Sequence, residues 1–194
     1  MKISYPLAAT LAAIAEAAAQ AVGVPMVIAL VDSEGSLLFF GRMDGSLPVS
    51  IELAVGKAYT AAALRLATQE VGKLAQPGKA LYGIQHSHSK RIVLFGGGLP
   101  LRLKGKVVGG VGISGGTVEE DIQVAEAVVR ALEQMESLSE QLKPVLATAA
   151  YGIDTIAELS QRIEAELRRL DLTQAAGNVS LLKGAVLLAF EGRT

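Results

Sequence analysis

The chain contains no cysteine and no tryptophan, and its 194 residues include only four Phe, four Tyr and two His. Without cysteine, disulfides, thiolate metal sites and cysteine nucleophiles are all excluded. That absence fits a reducing compartment, and a cytoplasmic protein is expected. The scarcity of aromatics, with a net charge of −1 and a pI of about 6.1, gives neither a stacking platform nor a basic groove. No nucleic-acid partner and no acidic membrane surface are therefore expected. No window of about 18 residues is apolar without a Gly, Pro or charge interrupting it, so no membrane span is expected either. The first stretch, MKISYPLAATLAAIAEAAAQAVG, has the early Lys2 and small residues of a signal peptide. Glu16 and Gln20 interrupt it, however, and Leu7, Leu11, Ile14 and Ala18 fall at helical spacing. An amphipathic first helix is the better reading.

Apolar residues, mostly Ala, Val, Leu and Ile, make up 51% of the chain, enough for a substantial core. The length suits one globular domain with an appendage. After the first helix, VPMVIALVD (24–32) and SLLFFGR (36–42) read as a hairpin around the turn Asp32-Ser33-Glu34-Gly35. Residues 48–66 read as a helix starting at Pro48, and 68–73 as a short second one, ended by Gln76-Pro77-Gly78. Three strand-like runs follow: RIVLF (91–95), PLRL (100–103) and VVGGVGIS (107–114). Thr117 and Glu120 form a capping box, opening a helix to about Met135. Short turns imply antiparallel neighbours, so the expectation is an α+β domain: a five-stranded antiparallel sheet covered on one face by helices. Residues 137–144 read as a linker to a C-terminal helical extension, 137–194. In it a second capping box, Thr155 to Glu158, opens a helix ending near Arg168 and Arg169, and Asn178 caps a last apolar helix. That last helix is apolar nearly all round and has to be buried against something.

Four ordered segments, VPMVIALVDSEGSLLFFGRMDGS, AVGKAYTAAA, AQPGKALYGI and RIVLFGGGLPLRLKGKVVGGVGISGGTVEED, together resemble the GlcG/HbpS-like haem-binding family. The C-terminal domain of PduO adenosyltransferases is of the same kind. The resemblance covers about residues 1–136 and implies a profilin-like or PAS-like fold, a homo-oligomer and, for some members, haem binding or degradation. Some PduO-type members have a haem-ligating histidine near the first helix, where LAATLAAIAEAAAQ has none.

Candidate site residues follow from these patterns. His86 and His88, in QHSHSK, are the only histidines. On a strand they would point to one face and could ligate a metal or a haem iron. Two imidazoles are only half a tetrahedral site, however, and an exposed polar loop is the favoured reading. Lys57 lies mid-helix beside Gly56, either snorkelling to solvent or facing a pocket. The resemblance implies the pocket role, with a carboxylate or haem propionate as partner. Arg42, before Met43-Asp44-Gly45, is a turn residue or a bidentate anion ligand. Asp121, in the first turn after the capping box, could face the same pocket. Gly96-Gly97-Gly98 matches no nucleotide fingerprint and reads as a tight turn between strands. Three functions stay open: a haem- or tetrapyrrole-binding protein, possible partner of corrinoid, diol or glycolate enzymes; an enzyme on a small anionic metabolite using Lys57 and Asp121; and a structural accessory subunit.

Overall fold

A computed structural model describes residues 2–149 and 179–191. The described elements are α1 (Tyr5–Val22), β1 (Val27–Asp32), β2 (Leu37–Arg42), α2 (Ser50–Leu64), α3 (Thr68–Leu74), β3 (Gly98–Leu103), β4 (Lys106–Ser114), α4 (Val118–Ala149) and α5 (Val179–Glu191). The chain divides into two compact units, residues 1–132 and 133–194.

The first unit is built on one antiparallel sheet of order β2-β1-β4-β3. Both hairpin turns follow from local chemistry. Asp32 accepts the backbone N–H groups of Glu34 and Ser36 on one carboxylate oxygen, and Gly35 takes the left-handed conformation that closes the turn. Lys104 and Gly105 both have positive φ (50° and 73°), the two-residue hairpin geometry that matches strand twist. β1 is buried along its whole length, as a central strand covered on both faces must be.

Val27, Ala29 and Val31 of β1 form a cluster with Ala54, Ala58 and Ala62 of α2. On β4, a Cβ on Gly110 or Gly112 would strike the carbonyls of Ala58 and Ala54 respectively. These two glycines, alternating along the strand, let the α2 backbone lie directly on the sheet. The opposite face is also covered. Ile3, just before α1, lies against Gly109, and Ile28 and Leu30 are buried there. α1 packs on β1 and β2 through a stripe that includes Leu7, Leu11 and Ala15. Helices thus flank both faces, not one. Among the described residues α1 alone has the length and apolarity to cross a bilayer, and here Leu7 and Leu11 are fully buried in the fold.

The sheet has four strands, not five. Residues 91–95 run as an irregular segment beside α2. The N–H of Val93 donates to the Thr60 hydroxyl of that helix at 3.0 Å, where a strand would donate to a neighbouring strand. The triple glycine is therefore not a turn between strands; Gly98 already begins β3.

The capping box at Thr117 and Glu120 is formed reciprocally, at 3.2 and 2.8 Å. The helix it opens does not stop near Met135, and residues 137–144 are not a linker. α4 continues to Ala149 with Pro144 inside it. Met135, Leu138 and Leu142 are buried and keep helical spacing, which outweighs the polar residues between them. In the second unit, α5 is the expected last apolar helix, with Ala185, Leu188 and Ala189 buried. Gly184 of α5 lies against the Met135 side chain. The expected second capping box, Arg168, Arg169 and the Asn178 cap lie outside the described residues.

Candidate functional site

The first unit holds a buried ion pair and, on α2, an open cleft. The ion pair joins Lys57 and Asp121, two residues that the sequence set 64 positions apart. Lys57 Nζ is 2.6 Å from Asp121 Oδ2 and donates to the carbonyl of Ile113 at 2.8 Å. The Phe95 ring lies over the same ammonium, 4.9 Å to its centroid. Asp121 Oδ1 accepts from the Gly116 N–H at 3.1 Å. Both residues are buried, Lys57 completely.

Two of the three consecutive glycines pack directly against this pair's residues, while Gly96 lies against Ile122 and Val118. A Cβ on Gly97, whose φ is +104°, would sit 2.8 Å from both Lys57 Nζ and Asp121 Cβ. One on Gly98 would press on Lys57's backbone and Thr68. Burial pushes the Lys57 ammonium below its ordinary pKa and the Asp121 carboxyl above its own, and each charge opposes the other's shift. With two of its N–H groups bonded, the Phe95 ring beside it and no solvent exposure, this ammonium is closed to an incoming anion.

The cleft lies between α2 and residues 89–93. It has a volume of about 440 Å³, with Ile51, Val55, Gly56 and Val93 as an apolar floor and Glu52, Ser89 and Arg91 as its polar members. Pockets for small ligands have volumes of this order. Gly56 explains how the wall comes so close. A Cβ there would lie 2.8 Å from Val93 Cγ2 and 3.1 Å from the Arg91 carbonyl. Thr60, fully buried one turn along α2, donates to the Gly56 carbonyl at 2.7 Å, lies 3.3 Å from the Arg91 carbonyl, and accepts the Val93 N–H. The Arg91 guanidinium rests on the Tyr59 ring, 3.8 Å from its centroid.

His86 and His88 are not on a strand. Gly83, at φ +85°, starts two successive 3-10 turns, closed by backbone bonds from His86 to Gly83 and from Arg91 to His88. Both histidines are exposed. The period-two argument for a common face therefore does not apply to them. His88 lies at the cleft end of the segment, 6.3 Å ring to ring from Tyr59, with Ser87 Oγ 3.0 Å from its Nδ1. Among the described residues no group of three or more His, Cys, Asp or Glu side chains could hold a metal ion. Arg42 is exposed at the end of edge strand β2, where it donates to the Ser46 carbonyl at 3.0 Å. The structure thus joins Lys57 to Asp121, leaves Arg42 on the turn, and sets His88 beside the cleft. Sequence reading missed Arg91, Tyr59 and Thr60. The one available signal was Gly56, which marks a close approach on α2.

An antiparallel sheet flanked by helices, with an open cleft between α2 and residues 89–93, defines a small α+β domain. The chain belongs to the family of haem-degrading HbpS-like proteins, whose model matches residues 3–130. It is 44% identical over 133 residues, 69% of this chain and 94% of the relative, to an uncharacterised 15.0 kDa protein of the dhaT–dhaS intergenic region of Citrobacter freundii. It is 45% identical over 114 residues to the corrinoid adenosyltransferase PduO of the same organism, covering 59% of this chain but only 34% of PduO. Among solved structures, a complex of PduOC with haem superposes with a TM-score of 0.64 at 40% identity, covering 67% of this chain and 94% of that one.

Proposed function

We propose that this chain binds haem or a related tetrapyrrole, and that it serves as an accessory protein to corrinoid, diol or glycolate metabolism. The observation that carries the reading is the 40% identity to PduOC, a domain crystallised with haem. Membership of a family described as haem-degrading supports it. So do the relatives' names: a corrinoid adenosyltransferase, a protein between dhaT and dhaS, and GlcG of Escherichia coli.

The residues present suit the group. The cleft offers Ile51, Val55 and Val93 to a flat apolar ring, and the exposed His88, next in sequence to the lining residue Ser89, is a candidate axial ligand, with His86 two residues away. Bound haem would supply a redox-active iron. The chain's own part is to take up the ring and hold it away from bulk water. The competing reading, chemistry on an anionic metabolite by Lys57 and Asp121, loses ground because that pair is sealed inside the unit.

Titration of the purified protein with hemin tests the proposal. A saturable shift of the Soret band is expected, altered by His88→Ala more than by His86→Ala. A spectrum indistinguishable from free hemin at all protein concentrations would end it.

A further inference from the structure

We propose that Arg91 makes the α2 cleft a receptor for a carboxylate carried on an apolar body. This rests on the ligand-binding reading and narrows it to a recognition chemistry. Arg91 is a basic residue of the cleft lining, and its guanidinium carbon lies over the Tyr59 ring, 3.8 Å from the centroid. A guanidinium stacked on one face keeps its N–H edge available, the edge that engages a carboxylate in a paired, planar contact. Among the described residues Arg91 forms no ion pair. Glu52, the acid in the same lining, is not bound to it. The sequence from Glu70 to Glu119 contains no intervening Asp or Glu, so the segment carrying Arg91 brings no counter-charge of its own.

The backbone around Arg91 is held as a recognition element would be. Thr60 and Gly56 clamp residues 91–93 to α2. On the other side, His88 and Ser89 are both left-handed, at φ 48° and 54°. Two consecutive non-glycine residues in that region are costly and persist where the surroundings enforce them. Ile51, Val55 and Val93 then define what accompanies the carboxylate: an apolar ring or chain. A haem propionate and a simple aliphatic acid both present this chemistry.

The test compares wild-type protein, Arg91→Gln and Arg91→Lys, using hemin, hemin dimethyl ester and octanoate as probes. Arg91 is exposed, so these variants are expected to fold as the parent. Wild type should bind hemin about tenfold or more tightly than the ester, the scale of a charge-assisted hydrogen bond. Arg91→Gln should bind the two alike, and Arg91→Lys should recover part of the preference. Equal binding of hemin and ester by wild type, or a preference kept by Arg91→Gln, overturns the assignment. If hemin fails to bind wild type but octanoate binds and is lost in Arg91→Gln, the carboxylate site stands and the tetrapyrrole reading falls. If wild type binds neither acid, the carboxylate site itself is overturned.

Discussion

Lys57 illustrates how one residue type can carry opposite meanings. In an apolar helix a lysine usually reaches for solvent or for a ligand. Here it turns inward and is held by Asp121, the Ile113 carbonyl and the Phe95 ring. Taking two charges out of water is expensive, and the return depends on keeping both partners. Asp121→Asn leaves a buried ammonium without its counter-charge and should cost about 3–5 kcal/mol of unfolding free energy. Replacing both, Lys57→Met with Asp121→Leu, removes the stranded charge and should restore most of that loss. Urea denaturation of the three proteins checks this. A double variant as unstable as the single one would show that the pair contributes packing geometry more than charge balance. The sequence did show both residues as candidates for one charged pair. It could not show that the pair is sealed, because exposure depends on Gly97 and Gly98 closing over it.

At the scale of elements, the decisive contact is α2 lying on β4. Gly110 and Gly112 face the carbonyls of Ala58 and Ala54 with no room for a methyl group. Gly112→Ala should push the helix from the sheet and destabilise the protein by about 1–3 kcal/mol, the usual cost of overpacking. The midpoint of chemical denaturation is the measure, and an unchanged midpoint would mean that α2 can shift freely. Elements that announce themselves by period and turn chemistry were legible: α1, both hairpins, α2, the capping box of α4 and the apolar α5. RIVLF was not. Its β-branched, apolar composition reads as a strand, yet its backbone partner is the Thr60 hydroxyl, a contact 33 residues away in sequence. The 137–144 stretch failed for the opposite reason. Its polar composition suggested a linker, while Leu138 and Leu142 continued the helical stripe.

At the scale of the molecule, the family was legible because its ordered segments are distributed over much of the first unit, from strand β1 to the start of α4. The cleft was not, because it joins α2 to a segment some 35 residues later through Gly56, Thr60 and Tyr59. No local pattern brings those positions together. His86 and His88 drew attention by rarity, whereas Arg91, one of the 18 basic residues, gave no such signal. The central claim is that a tetrapyrrole occupies the α2 cleft. Its most direct measurement is a hemin titration followed through the backbone amide resonances of the labelled protein. Perturbation and broadening should concentrate at residues 51–56 and 88–93 and saturate with ligand. Changes absent from those residues, or centred instead on α1, would contradict the account.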